Sequence, residues 1–187
     1  VSLKFFFSIL SFMHKIILVL VSLASTSHGR RAHPLQVMDE LPRKALRAAS
    51  GLTKLLQPIY RVEAPLQAGD YDHAAVRAEI KSEVAGAPVV VYSYKLSPFC
   101  TEAKRLLTEA GARYKVVELG AEWLPGLLSG KAAAVRAELG ALTGQTSMPH
   151  IWIGGKSIGG LYTGTPGLVP LLEADALTAK LKAAKAL

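Results

Sequence analysis

Pro88-Val89-Val90-Val91-Tyr92 runs into Ser97-Pro98-Phe99-Cys100 and then into Thr101-Glu102-Ala103-Lys104-Arg105-Leu106-Leu107. The first stretch is a short, continuous, β-branched apolar run, the pattern of a strand buried on both faces. Proline just inside the following segment suits the first turn of a helix, whose N–H groups have no intrahelical partner anyway. A helix is therefore predicted from about Pro98 to Ala110, stopped by Gly111. The unit is a buried strand, a proline-containing turn and a helix that carries the chain's one cysteine, Cys100, in its first turn.

The pattern continues on both sides. Asp72 is placed to cap a helix through Val84, with Ala75, Val76, Ile80 and Val84 on its inner side, and Ala85-Gly86-Ala87-Pro88 stops it. Tyr114–Leu119 alternates as a second, parallel strand. Lys131–Leu142 reads as a helix ending near Gly144. His150-Ile151-Trp152-Ile153 and Lys156-Ser157-Ile158 flank Gly154-Gly155, the signature of a tight hairpin. Leu168–Ala184 reads as one last helix with Pro170 in its first turn. The order α-β-α-β-α-β-β-α gives an α/β sandwich around one small mixed sheet.

Four ordered segments then make a specific resemblance. They are Val89–Ser93, Ser97-Pro98-Phe99-Cys100, Thr143-Gly144-Gln145-Thr146-Ser147-Met148-Pro149, and Gly154-Gly155-Lys156 with Gly159-Gly160. From Pro88 to Ala184 the chain resembles a glutaredoxin of the thioredoxin superfamily. The resemblance implies a thioredoxin-like fold, a central mixed four-stranded sheet flanked by helices. It also implies a glutathione-linked thiol–disulfide oxidoreductase, with glutathione and protein disulfides as partners. In that family the first cysteine of a Cys-Pro-Tyr-Cys turn attacks the disulfide, and its thiolate is favoured by the helix N-terminus. Ser97 stands there in this chain.

A hydroxyl cannot form a disulfide, so Ser97 and Cys100 make an atypical catalytic pair with reduced activity expected. Two readings of Cys100 fit the sequence: a small, buried, inert thiol, and the working redox group. Carried over position by position, the resemblance implies a glutathione groove built from Lys95, Gln145, Met148, Pro149, Gly159, Gly160 and Thr163. Met148 would offer its backbone to the tripeptide as a strand edge does, ahead of a cis Pro149. Gln145 matches a position near the glycyl carboxylate. Lys95 lies one position nearer the turn than the family's lysine, where this chain has Tyr94. Leu161-Tyr162-Thr163 replaces the usual acidic pair, and a neutral hydroxyl at Thr163 implies weak glutathione binding. No metal and no iron–sulfur cluster are expected, because such a cluster uses the missing first cysteine. Two other functions stay open. One is a noncatalytic glutathione- or protein-binding module; the other is a glutathione-transferase-like site in which the Ser97 hydroxyl steadies a thiolate. The absence of a following helical domain before Leu187 weighs against the second.

Composition bounds the rest. Half of the 187 residues are hydrophobic and the net charge is +8. Residues 1–72 hold nine basic and five acidic residues, and residues 73–187 hold thirteen and nine, so the front is the more basic part. No basic run with interleaved aromatics marks a nucleic-acid surface. His150, Trp152 and Trp123 read as packing residues. Three regions are expected. Residues 1–26 form a signal peptide or hydrophobic leader, with Ile16–Val21 as its apolar core behind Lys15 and small residues at Ser22–Thr26. An anchored helix is the alternative. Residues 27–72 form a basic linker or a transit-peptide-like segment, with Leu46, Ala49, Leu52, Leu55 and Leu56 on one helical face. Residues 73–187 form the glutaredoxin-like domain, not embedded in a membrane. A signal followed by a transit-like stretch is the bipartite address of a plastid of secondary origin.

Overall fold

The computed structural model describes residues 34–95, 97–120 and 130–187. The expected leader 1–26, residues 27–33 and Trp123 lie outside the described residues. The chain divides into two compact units, Val1–Thr53 and Lys54–Leu187. Helix α1, Pro34–Ala68, runs through that boundary and ends at Gly69, which adopts φ +63 and donates its N–H to Pro65 O at 3.1 Å. No helix among the described residues is long and apolar enough to cross a membrane.

The second unit is a four-stranded mixed sheet in the order β2-β1-β3-β4, with helices on both sides. Strand β1, Val89–Ser93, is buried at every position, as its unbroken apolar run requires. It pairs in parallel with β2, Lys115–Glu118, through Val91 and Val116, and a parallel neighbour needs a crossover. Helix α3, Pro98–Glu109, supplies it, stopping at Gly111 with φ +72. On its other side β1 runs antiparallel to β3, His150–Ile153, and β3 turns through Gly154 and Gly155 into β4, Lys156–Gly159. Those two glycines have φ +57 and +76, the double positive pair that a two-residue hairpin demands. Helix α2, His73–Ala85, starts as the sequence implies, with the Asp72 carboxylate accepting from Ala75 N at 2.9 Å.

Helix α4, Gly130–Thr143, packs beside α2. Ile80, Val84, Val90, Tyr92, Val135, Leu139 and Met148 share one core cluster with Cys100. Burying each of the larger aliphatic groups contributes about 2 kcal/mol. Tying α2 to α4, the carboxylate of Glu138 is fully buried and accepts from Arg77 Nε at 2.7 Å and Tyr71 Oη at 3.2 Å, with His73 Nδ1 at 3.1 Å.

Two expectations need correcting. The final helix is two helices, α5 Leu168–Glu173 and α6 Leu177–Ala183, broken at Asp175 with φ +52. A continuous helix would carry Asp175 onto the face of Leu168 and Leu171, two turns on. The break instead brings Leu177 and Leu181 inward, and all four leucines are buried. In α1, Leu46 and Ala49 are buried but Leu55 is 75% exposed, so the five-residue face is not one face. Nine residues at about 100° each put Leu55 half a turn away from Leu46. The compact unit that holds the sheet also takes in the C-terminal part of α1 from Lys54, where Ala64 is 1% exposed.

Candidate active site

Ser97 is the N-cap of α3. Its backbone is extended (φ −81, ψ 121), its hydroxyl oxygen accepts from Cys100 N at 3.4 Å, and its carbonyl accepts from Thr101 N at 3.0 Å. Proline at the next position makes this a strong helix start, and Ser97 is only 5% exposed. The hydroxyl oxygen is thus already committed to the backbone of the neighbouring thiol residue.

Cys100 has no exposed surface. Its sulfur accepts from Tyr94 N at 3.4 Å and lies in the core cluster with Tyr92, Tyr94, Leu139 and Met148. Burial pushes the thiol up from its ordinary value, against smaller opposing effects of the Ser97 hydroxyl, Tyr94 N–H, the Ser93 hydroxyl and Lys104. A raised, enclosed thiol is a poor nucleophile at neutral pH. Of the two readings of Cys100, the packing reading accounts for this geometry.

The loop opposite is built by Gln145. Its amide donates to Ser147 O at 3.2 Å and Pro149 O at 3.4 Å, and its carbonyl oxygen accepts from the Thr163 hydroxyl at 3.3 Å. Gln145 is 7% exposed, so the structure shows it bracing the loop from inside. Met148–Pro149 is a cis peptide bond, as is Thr165–Pro166, which the sequence reading did not anticipate. Gly159 and Gly160 sit against this brace. A Cβ on Gly160 would meet Gln145 Nε2 at 2.9 Å and Pro149 O at 3.1 Å; one on Gly159, at φ +91, would overlap Gly164 Cα. The structure therefore joins Gln145, Pro149, Gly159, Gly160 and Thr163 in one network, and places Met148 with Cys100 in the core. Lys95 stands apart: its backbone N–H donates to Gly120 O at 2.9 Å and the residue is exposed.

His150, on β3 next to the loop, is fully buried, with Nε2 2.9 Å from Ser157 Oγ and its ring stacked on Trp152. Burial pulls it down to about 4, against a smaller opposing effect of the Gln145 backbone, so it is neutral at physiological pH. It is a structural histidine. Among the described residues no group of three or more His, Cys, Asp or Glu side chains is placed to hold a metal.

Comparison with known proteins gives the family. The glutaredoxin family model matches residues 89–158. The chain is 40% identical over 111 residues to a glutaredoxin-C6 of Oryza sativa subsp. japonica, a match that covers 56% of this chain and 93% of that one. The chain belongs to the glutaredoxin family. The chloroplastic glutaredoxin-C4 of the same plant is 41% identical over 104 residues, with 52% of this chain and 72% of that one covered. Among solved structures, the buckwheat glutaredoxin–glutathione complex aligns with a TM-score of 0.53 at 27% identity, covering 62% of this chain and 94% of that one. Reduced glutaredoxin C1 of Populus tremula x tremuloides aligns with a TM-score of 0.52 at 34% identity, covering 61% and 88%. The glutaredoxin fold with its four-stranded mixed sheet is thus the one the sequence implied.

Sequence reasoning missed the part played by α1. Gln57 donates to Ser147 Oγ at 3.0 Å, Arg61 Nε donates to Gly144 O at 2.8 Å, and Glu63 pairs with Arg136 at 2.8 Å. Arg136 was the signal available: a lone arginine in the alanine-rich inner stretch of α4 requires a counter-ion from somewhere.

Proposed function

We propose that residues 54–187 form a glutathione-binding glutaredoxin whose own thiol–disulfide exchange is strongly reduced. One observation carries this reading: the hydroxyl of Ser97 occupies the cap of α3 where the attacking group stands in dithiol relatives, and the sulfur of Cys100 is enclosed behind it. The exchange step needs an accessible thiolate that displaces the protein thiol from a mixed disulfide and carries glutathione in its place. Ser97 forms no such bond, and Cys100 offers neither access nor a low pKa. The backbone of Met148, in the cis-proline loop ahead of β3, and the Gln145–Thr163 network supply the groove. Its affinity is set low by a neutral Thr163 where a carboxylate would grip an ammonium.

The test is a pair of measurements on the full chain. Wild type should bind S-methyl glutathione in isothermal titration yet show little turnover of a glutathionylated substrate in a glutathione-reductase-coupled assay. Ser97→Cys should raise turnover by orders of magnitude, because the helix N-terminus is still there to favour a thiolate. A wild type as active as dithiol glutaredoxins would overturn the reading. The burial of Cys100 favours one second reading, a noncatalytic module that binds a protein partner; a Ser97→Cys variant that folds but binds no glutathione would select it.

A further inference from the structure

The second half of α1, which precedes the family-matched region, carries an exposed apolar face. Leu55, Val62 and Leu66 are 75%, 66% and 78% exposed, and Ile59 is 43% exposed. At about 100° and 1.5 Å per residue, these four side chains fall within about 60° of one another along about 17 Å of helix. Pro58 and Pro65, also exposed, widen the apolar arc on one side. Lys54 and Arg61 come next round the helix on that same side. Both line a cleft of about 570 Å³ that Lys156 and Ser157 of β4 and Trp152 of β3 also line, and no carboxylate is among its lining residues. Lys54 and Lys156 have no ion-pair partner among the described residues. Arg61 gives one N–H to Gly144 O at 2.8 Å and meets no carboxylate among them. On the other side of the stripe Glu63 is held by Arg136 at 2.8 Å. The cleft backs onto the groove through Gln145, Gly159 and Thr163, but none of its cations is a residue of the groove.

An apolar arc bordered by unpaired cations is the pattern of a helix that lies in a membrane interface without crossing it. We propose that residues 54–66 of α1 form a docking surface for an anionic phospholipid bilayer. Leu55, Ile59, Val62 and Leu66 enter the acyl boundary, and Lys54, Arg61 and Lys156 meet the charged headgroups. Charge complementarity selects this occupant. A second copy of the chain would bring its own Lys54 and Arg61 to the same edge, like charge against like. Four aliphatic side chains also make a smaller patch than the roughly 800 Å² per partner that a stable dimer buries. A bilayer needs no shape-matched partner, and each Lys or Arg near an anionic surface strengthens binding about fivefold. Because the cleft backs onto the groove, docking places the groove beside a membrane surface. The inference is independent of the chemistry proposed at Ser97.

The experiment uses the full chain with Leu66→Cys, labelled at that position with an environment-sensitive fluorophore; Cys100 has no exposed surface and stays unlabelled. It is titrated with vesicles of phosphatidylcholine alone and with vesicles in which about one-third of the lipid is phosphatidylserine. Emission should move to the blue on the anionic vesicles, with half-saturation at about a hundredfold less lipid than on the neutral ones, about fivefold for each of three cations. Adding Lys54→Gln and Lys156→Gln should raise the anionic lipid required about thirtyfold and leave the neutral titration unchanged. Equal midpoints on the two vesicles, or no shift on either, overturn the inference. Cosedimentation with vesicles while the emission stays unchanged also overturns it, because another segment then holds the membrane. Emission that is already blue without lipid overturns it as well: if it depends on protein concentration, the stripe pairs two copies, and if it does not, a segment such as the expected leader covers it. Thermal melting without lipid confirms that the variants are folded.

Discussion

His150 makes the protein acid-sensitive in a window that can be worked out from its surroundings. The imidazole has no exposed surface, stacks on Trp152 at 5.7 Å between ring centroids, and meets Ser157 Oγ at 2.9 Å. Its folded-state pKa falls from 6.5 to about 4. Between those values the unfolded chain binds a proton at this residue and the folded chain does not, so stability rises with pH there and is lost on acidification. The slope is about 1.36 kcal/mol per pH unit, and the whole window amounts to about 3 kcal/mol, a large part of the 5–15 kcal/mol typical of a domain. Urea unfolding of the full chain, followed by circular dichroism from about pH 7 down to about pH 4.5, reads the slope directly. His150→Gln keeps an amide to meet Ser157 and removes the titrating group. Its stability should be lower at neutral pH but flatter across the window. Equal slopes in wild type and variant would refute the argument, because the acid sensitivity would then belong to other groups.

Other outcomes follow from the same structure. Burial pushes the Glu138 carboxyl upward, but hydrogen bonds from His73, Arg77 and Tyr71 outweigh it and hold the group below its usual value. Its contribution is present above the unfolded carboxylate pKa and lost as pH falls through the lower folded value, so it comes into play below the His150 window. Arg77→Ala should therefore cost about 2 kcal/mol at neutral pH in urea unfolding, since a fully buried carboxylate loses its strongest donor. Ser97→Ala removes the cap of α3 and should cost about 1 kcal/mol without affecting residual activity, measured by thermal melting beside the coupled assay. Cys100→Ser should lower stability, because a hydroxyl replaces a core sulfur, and leave any residual exchange activity unchanged; loss of that activity would make Cys100 the working thiol. Gly159→Ala should be among the most disruptive single-methyl changes, combining φ +91 with overlap on Gly164, and would be seen as lost soluble yield or a large drop in melting temperature.

The strand–turn–helix at Val89–Leu107 was legible because each local cue agrees with the fold. The apolar run has the length of a central strand, the proline sits at N1, and a serine caps the helix. Gly154-Gly155 likewise has one structural meaning between two alternating stretches. The break at Asp175 was not legible: Leu168–Ala184 satisfies helical periodicity on either side, and only the three-dimensional surroundings decide that Leu177 must turn inward. The part played by α1 was hidden for a different reason. Its basic, acid-poor composition dominates the local reading, whereas Glu63 matters only through Arg136, which lies far along the chain. In the site, Ser97 and the cis Met148–Pro149 bond were readable from short motifs. Gln145 was readable in its place, as a position suited to a ligand contact, and the structure adds hydrogen bonds to its own loop and to Thr163.

Cys100, the one cysteine in the sequence, gives the protein an internal clock. A thiol with no exposed surface reacts with an alkylating reagent only when α3 or its surroundings open, so the rate of modification counts openings of the core beside the site. Every alkylated molecule reports on the same sulfur, with no second thiol to confuse the signal. A single mass shift followed over time would thus time the breathing of the groove, with and without a ligand, without a label having to be introduced.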